Sequence, residues 1–284
     1  MHPRVPPPIT PARTRFLAGV TALALAGATA AAGAQAVPTL TDRRVDAAGT
    51  TIRLRCGGVR VAGAPIVIFE AGAFNTVETW RDVHAPIAAL ARACAVDRPG
   101  RGGSGPPPPG LDADGYVALL AGALAAGGEA PPYVLVGHSL GGLIVQLYAA
   151  RRPGEVAGVV LVDSSHPDQV RRMADLPRPP ASPPSSTSPP PPEAVGLDAW
   201  AAALGHAPPA LVVPLAVVTR SRWTSGTDSG DDAARLARWG ELQRDLAAHG
   251  RRARHDVAAD SGHYVQNDEP RLVIDAVRWV LANR

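Results

Sequence analysis

The amino-acid sequence predicts an α/β protein in which helices cover both faces of a central sheet. After the N-terminal segment, short β-rich runs alternate with stretches of helical periodicity, which is the pattern of that fold class. One run, Ala64–Phe69, is continuously apolar and is typical of a strand buried on both faces. Apolar residues make up 46% of the 284 residues, which is enough to build a sizeable core.

The first half of the chain is predicted to begin with a hairpin over Arg43–Cys56. The hairpin turns at Ala48-Gly49 and directs Ile52, Leu54 and Cys56 inward, because alternate residues of a strand share a face. The elements that follow are the strand Ala64–Phe69, a helix with apolar residues from Trp80 to Leu90, the strand Cys94–Val96, the helix Asp112–Leu124, the strand Tyr133–Val136 and a helix ending at Ala150.

The second half continues the alternation around one unusual insert. Its predicted elements are the strand Ala157–Val162, a short helix Asp168–Leu176, a weak helix Leu197–Leu204, the strand Leu215–Thr219, the helix Asp232–His249, the strand Arg254–Ala258 and the helix Arg271–Leu281. Residues 177–192 are almost wholly Pro, Ser, Ala and Thr, a composition that cannot build a packed core. We expect the region 167–208 to form a small, partly disordered lid.

Residues 1–36 are predicted to be a signal peptide. Three arginines precede an uncharged stretch from Phe16 to Ala34, and Ala-x-Ala cleavage sites follow. The alternative is an uncleaved membrane anchor, but Gly, Thr and Ala dilute the apolar stretch. We therefore expect residues 37–284 to be a secreted or periplasmic domain without stable membrane insertion.

The net charge of +3 does not indicate a nucleic-acid partner. All 28 basic residues are arginines, and they are scattered among acidic residues, whereas a nucleic-acid surface needs clustered charge. The two cysteines, Cys56 and Cys94, permit one disulfide in an oxidising compartment, or two buried thiols.

The segment Gly137-His-Ser-Leu-Gly141 predicts a nucleophile elbow with Ser139 at its centre. In such an elbow the serine occupies a strained turn between a strand and a helix, and the glycines avoid clashes with neighbouring backbone. A glycine-rich turn with an incidental serine is the alternative. The predicted strand before this segment and helix after it favour the elbow.

A serine hydroxyl needs a base to remove its proton, and His263 is the predicted base. Eight histidines compete for the role, but His263 follows the last predicted strand, where the chain order serine, acid, histidine places the base. Asp163, at the tip of a predicted strand, is the preferred acid because an orienting carboxylate must be rigidly held. Asp228, in the loop after the strand Leu215–Thr219, is the alternative.

Two backbone N–H groups are expected to stabilise a developing oxyanion. One belongs to Leu140, directly after the nucleophile, and the other to Ala73, in the loop after Phe69.

Taken together, the motifs resemble the α/β-hydrolase superfamily, in particular its secreted or periplasmic esterase-like members. The resemblance spans about residues 45–284 apart from the insert. It rests on Glu70–Asn75 with Trp80, Asp97–Ser104, Gly137–Gly142, Leu161–His166 and Ser261–His263. It implies an eight-stranded, mostly parallel sheet with a triad of Ser139, His263 and Asp163. It also implies that the second and fourth strands are neighbours, which would bring Cys56 near Cys94.

Two positions depart from the superfamily's pattern. Ala71-Gly72 stands where the oxyanion loop commonly has His-Gly, and the usual acid after the seventh strand is missing.

The expected function is a serine hydrolase that cleaves esters or similar acyl bonds of a small-molecule substrate. Alternatives are an amidase, lactonase or acyltransferase with the same triad, or a non-catalytic binding protein on this scaffold. No cofactor is expected, and no metal, because the histidines and cysteines lack ligand spacing.

Overall fold

The computed structural model describes Met1 and residues 38–176, 193–223 and 230–284. The predicted signal peptide apart from Met1, the insert 177–192 and Asp228 lie outside the described residues. The strands and helices given below belong to the compact unit Ala36–Arg284.

Eight strands form a single sheet in the described part of the chain. Their bounds are Thr41–Ala47 (β1), Thr50–Gly57 (β2), Ile66–Glu70 (β3), Ala93–Val96 (β4), Tyr133–His138 (β5), Val156–Val162 (β6), Leu215–Thr219 (β7) and Ala253–Val257 (β8). The order across the sheet is β1-β2-β4-β3-β5-β6-β7-β8. Strands β3 to β8 are parallel, whereas β2 is antiparallel to both of its neighbours, β1 and β4. The expectation of an eight-stranded, mostly parallel sheet is confirmed.

Helices cover both faces of this sheet. Within the described residues they are Arg81–Ala88 (α1), Ala113–Ala126 (α2), Leu140–Arg151 (α3), Gln169–Arg172 (α4), Leu197–Ala203 (α5), Gly230–Ala248 (α6), Val265–Asp268 (α7) and Pro270–Asn283 (α8), with 3₁₀ turns at Val77–Trp80 and Pro153–Glu155. None of the helices in this part of the chain is both long and apolar enough to cross a membrane.

Strand β3 illustrates why its sequence is apolar throughout. Ile66 and Ile68 belong to the core that the sheet forms with α2, α3 and α5. Val67 and Phe69 belong to the opposite core, which is formed with α1 and α8. Since both faces are buried, the period of two that marks a half-exposed strand is absent from this sequence.

The N-terminal hairpin turns where the sequence predicts. Ala48 and Gly49 have φ values of 47° and 81°, the left-handed conformation that a two-residue hairpin turn requires. Cys56 in β2 lies directly opposite Cys94 in β4, and the two form a disulfide with a Cα–Cα distance of 4.1 Å. The proximity implied by the family resemblance is therefore present, and the bridge ties the hairpin to the parallel strands.

In the predicted lid region, α4 is shorter than the predicted helix Asp168–Leu176. After Arg172 the chain makes the tighter bonds of successive turns, from Ala174 N–H to the Arg171 carbonyl and from Leu176 N–H to the Met173 carbonyl. These i to i−3 bonds do not propagate an α-helix.

Candidate functional site

Ser139 occupies a strained position between β5 and α3. Its φ and ψ are 52° and −119°, a conformation that a residue with a side chain adopts only where its surroundings impose it. A β-carbon on Gly137 would lie 2.4 Å from the Gly141 carbonyl oxygen, and one on Gly141 would lie 2.1 Å from that of Glu70. The two glycines are therefore required by close backbone contacts, as the elbow pattern predicts.

Asp163 and His263 are brought into direct contact. Asp163 follows β6 and its side chain is fully buried, whereas the side chain of His263, in the loop between β8 and α7, is one-third exposed. His263 Nδ1 lies 2.6 Å from Asp163 Oδ2. Two residues that were each predicted to follow a strand, 100 positions apart in sequence, thus form a hydrogen-bonded pair.

His138 holds the His263 loop beside the elbow. His138 Nε2 donates to the His263 carbonyl oxygen at 2.8 Å, and the centroids of the two rings are 4.6 Å apart. Burial, helped by the charge of a protonated His263, lowers the pKa of His138 to about 3, so this ring is neutral. Ser139 is the next residue, although no hydrogen bond joins its hydroxyl to the His263 ring in the described part of the chain.

The two predicted oxyanion donors lie on segments that touch each other. The start of α3 packs against the loop after β3, as the close approach of Gly141 to Glu70 indicates. Among the described residues, neither Leu140 N–H nor Ala73 N–H donates to a protein acceptor. The N–H of Phe74, the next residue in the loop, is already bound to Glu193 Oε1 at 2.6 Å.

Arg98 and Glu193, neither of which was predicted from the sequence, support the loop that carries the predicted oxyanion donor Ala73. Arg98 NH1 and NH2 donate to the carbonyl oxygens of Ala71 and Gly72 at 2.7 and 2.6 Å. The same guanidinium donates to Glu193 Oε1 at 2.9 Å. Because the Arg98 guanidinium and the Glu193 carboxylate are both buried, the loop that carries Ala73 is fixed by charged hydrogen bonds. Arg98 could have been identified from the sequence because it belongs to the Asp97–Ser104 motif. Glu193 belongs to none of the motifs.

Glu70 adds a second buried carboxyl group beneath this loop. It accepts a hydrogen bond from the Tyr116 hydroxyl at 2.7 Å, and Arg98 NH1 lies 3.5 Å from its other oxygen. Burial outweighs both partners and raises the pKa of Glu70 to about 7.

Arg220 and Trp239, also missed by the sequence analysis, complete the surroundings of Asp163. Its Oδ1 accepts from the Arg220 backbone N–H at 3.1 Å and from Trp239 Nε1 at 2.6 Å. Its Oδ2 accepts from Arg220 Nε at 2.6 Å as well as facing His263. Burial alone would raise the pKa of Asp163, but the charge of Arg220 and the hydrogen bonds from His263 and Trp239 hold it below the usual value.

A groove of about 380 Å³ adjoins the site. Its rim includes Phe74, which follows Ala73, and Tyr264, which follows His263; both side chains are substantially exposed. The remaining lining residues are polar: Asn75, Thr76, Glu78, Thr79, Arg81 and Asn267. A bound molecule that reached Ser139 would have room for a polar portion here.

One group of side chains in the described residues brings its donor atoms within 4.8 Å, as a metal site requires: Cys56, Cys94 and Glu129. The two sulfur atoms are bonded to each other. Glu129 accepts charged hydrogen bonds from Arg43 and Arg92, each at 2.5 Å. With its ligand atoms used in this way, the group does not fit a metal ion.

The known proteins that are similar to this chain include one that matches over most of its length and others that match over about a third of it or less. Esterase Rv0045c of Mycobacterium tuberculosis is 32% identical over 276 residues, which cover 84% of this chain and 88% of that protein. The uncharacterized protein YqjL of Bacillus subtilis is 36% identical over 97 residues, 34% of this chain. That match spans only 38% of YqjL, so it relates the two proteins over part of their lengths.

The fold and the family agree with this relationship. The crystal structure of carboxylesterase CesB (YbfK) from Bacillus subtilis superimposes with a TM-score of 0.59 at 16% identity, covering 87% of this chain and 93% of that chain. The model of the alpha/beta hydrolase family matches residues 67–276. Most of the chain thus matches, and it belongs to the alpha/beta hydrolase family.

Proposed function

We propose that the protein is a serine hydrolase that cleaves carboxylic esters or related acyl bonds through an acyl-enzyme on Ser139. The observation that carries this proposal is the 2.6 Å contact between His263 Nδ1 and buried Asp163, beside a serine in a strained elbow. A carboxylate that accepts a hydrogen bond from Nδ1–H keeps the proton on that nitrogen and leaves Nε2 with its lone pair, which is the form of the imidazole that removes a proton.

The proposed reaction has two steps. His263 Nε2 accepts the Ser139 hydroxyl proton as Oγ attacks the carbonyl carbon, and the N–H groups of Leu140 and Ala73 bind the oxyanion. The imidazolium then gives its proton to the departing alkoxide, and the acyl group stays on Oγ. Water enters, loses a proton to His263 and attacks the acyl carbon, which releases the carboxylic acid and returns the proton to Ser139.

The substrate is proposed to be a small molecule with an acyl bond. Exposed aromatic rings at Phe74 and Tyr264 border a polar groove next to the reacting groups, which suits a molecule with both apolar and polar portions. Amides, lactones and acyl acceptors other than water would use the same steps, so assays must compare these bond types.

Labelling and turnover test the proposal. A fluorophosphonate probe is expected to label the wild-type protein and not Ser139→Ala. Turnover of a panel of nitrophenyl esters of graded chain length is expected to be lower in that variant by about 10⁴-fold or more. Unchanged labelling of Ser139→Ala would exclude it as the nucleophile. A wild-type protein that neither reacts with the probe nor turns over any ester, anilide or lactone would favour the non-catalytic binding protein.

Histidine variants separate the base from other histidines. His263→Gln is expected to abolish turnover, because the proton of Ser139 then has no acceptor. His206→Asn is the matched control, since His206 is exposed and has a φ of 57°, which asparagine tolerates. Equal losses in the two variants would contradict the role of His263.

We further propose that the protein is exported with removal of residues 1–36. The disulfide between Cys56 and Cys94 supports this, because such bonds persist in oxidising compartments. Expression of the full chain in a bacterial host followed by N-terminal sequencing of the periplasmic or secreted fraction tests it. Protein retained in the cytoplasm with an intact Met1 would refute export.

A further inference from the structure

The guanidinium of Arg220 lies between the two members of the Asp163–His263 pair. Its Nε donates to Asp163 Oδ2 at 2.6 Å, and its NH2 nitrogen lies 2.7 Å from His263 Nδ1. That same Nδ1 lies 2.6 Å from Asp163 Oδ2. Arg220 is only 8% exposed and Asp163 is fully buried, so the contact between these two groups is shielded from water, whereas the His263 side chain is one-third exposed.

The two contacts of His263 Nδ1 exclude each other chemically. Arginine only donates hydrogen bonds, so a bond from Arg220 requires a lone pair on Nδ1. Asp163 is ionised and only accepts, so a bond to it requires a proton on Nδ1. In neutral imidazole the first state has its proton on Nε2 and cannot remove the Ser139 proton, whereas the second can.

Arg220 is held where this competition persists. Its guanidinium packs against two indole rings, with its central carbon 4.5 Å from the ring centre of Trp223 and 4.8 Å from that of Trp239. Such contacts are attractive for a cation and stronger when they are desolvated. Together with the bond to Asp163, they keep the side chain from turning away from His263.

Arg220 is a cation in direct contact with the imidazole. Among the described residues, the other titratable or charged groups that face His263 or its loop are Asp163 at the end of β6, His138 at the end of β5, Tyr264 and Asp260 on the same loop, Arg222, which pairs with Asp260, Asp268 on α7, which accepts a hydrogen bond from Gly262 N–H, and Glu269, which accepts one from Asp260 N–H. His138 is neutral, and Arg220 compensates the charge of Asp163. A proton gained by His263 therefore places a second positive charge beside one carboxylate.

We propose that Arg220 is a positioning residue that sets which nitrogen of His263 carries the proton, by competing with the imidazole for Asp163. This rests on the proposed function, in which His263 is the base. In that role Arg220 also places a positive charge 2.7 Å from the imidazole nitrogen.

Two measurements on the full-length protein test this. ¹⁵N-histidine NMR, with the His263 signals assigned through His263→Gln, reports the tautomer without any turnover. The wild-type ring is expected to be a mixture of the two neutral tautomers, and Arg220→Met to hold only the Nδ1–H form. In nitrophenyl ester hydrolysis, the acid limb of the kcat/KM profile is expected to move up by about one pH unit or more in Arg220→Met, because a nearby positive charge is lost.

The conservative and control variants sharpen the outcome. Arg220→Lys keeps the charge but cannot reach Asp163 and His263 with one planar fork, so the acid limb should stay at the wild-type pH while the ring shows only the Nδ1–H form. Arg222→Met removes a positive charge two positions away, from an arginine that pairs with Asp260, and should change neither measurement.

A wild-type ring that is entirely Nδ1–H, and that is the same in Arg220→Lys, would overturn the proposal even if Arg220→Met did not fold. An unshifted acid limb in folded Arg220→Met would overturn it as well. If the tautomer responds to Arg220 but Ser139 is neither labelled nor active, the proposed function fails and the positioning role stands.

Discussion

Replacement of Asp163 by asparagine probes fold and chemistry at once. The asparagine carbonyl oxygen can take the place of Oδ1 and keep the bonds from the Arg220 backbone and Trp239. Its NH₂ group then replaces Oδ2 and faces Arg220 Nε, a donor against a donor. Because Arg220 is left as a buried charge without its partner, we expect a loss of about 3–5 kcal/mol of unfolding free energy.

The same substitution reverses the hydrogen bond to His263. The asparagine NH₂ group donates to Nδ1 where the carboxylate accepted, so the imidazole proton moves to Nε2, which then has no lone pair for the proton that we propose it takes from Ser139. A base locked in the wrong tautomer is expected to lower kcat by about 10⁴-fold, the magnitude known for such a change in a serine protease.

The assay pairs nitrophenyl ester turnover with thermal melting, at a temperature where both proteins are folded. Asp228→Asn is the matched control, since it removes a carboxylate that sequence analysis offered as the alternative acid. We expect it to retain turnover. If Asp228→Asn is inactive while folded Asp163→Asn keeps near-normal kcat, the assignment of Asp163 is refuted.

Three further predictions concern stability. Burial raises the pKa of Glu70 from 4.5 to about 7. The contribution of its protonated carboxyl group to the free energy of unfolding is therefore fully present below pH 4.5, and about 3 kcal/mol is lost as the pH rises through about 7. The free energy of unfolding, measured with urea, should therefore fall across that pH window in the wild type and fall less in Glu70→Gln. Equal pH dependence of the unfolding free energy in the two proteins would contradict this. Gly141→Ala should prevent folding or abolish turnover because of its contact with Glu70, whereas Gly122→Ala, in open space on α2, should gain up to about 1 kcal/mol in the same unfolding assay. Reduction of the Cys56–Cys94 bond, which spans 38 residues, should lower the free energy of unfolding by about 4 kcal/mol. Urea unfolding in the presence and in the absence of a reductant measures this, and an unchanged unfolding midpoint would contradict it.

The order and type of most elements could be predicted because they depend on local patterns. The hairpin turn needs only the left-handed conformation of Ala48-Gly49, and β3 needs only its run of apolar residues. The pairing of Asp163 with His263 was also within reach, because parallel strands bring their carboxyl ends to one edge of the sheet. Helix ends were less predictable: α4 stops at Arg172, short of the predicted Leu176.

The supporting charges could not be predicted from local patterns. Arg220 is one of 28 arginines, and nothing in its neighbourhood distinguishes it from an exposed one. Its burial arises only when α6 brings Trp239 over the end of β7. Glu193 likewise gains its role from Arg98, a partner 95 positions away in sequence. Sites built by distant partners of a common residue type carry no periodic signal.

The buried ion pair between Arg98 and Glu193 bears on how the segment that precedes Glu193 can be replaced. Residues 177–192 are flanked by Asp175, which pairs with Arg238, and by Glu193, which binds Arg98. The first of these ion pairs is largely exposed to solvent, whereas the pair of Glu193 with Arg98 is buried and is the stronger anchor. A replacement of this segment that keeps Glu193 is expected to leave the hydrogen bonds from Arg98 to the Ala71 and Gly72 carbonyl groups in place.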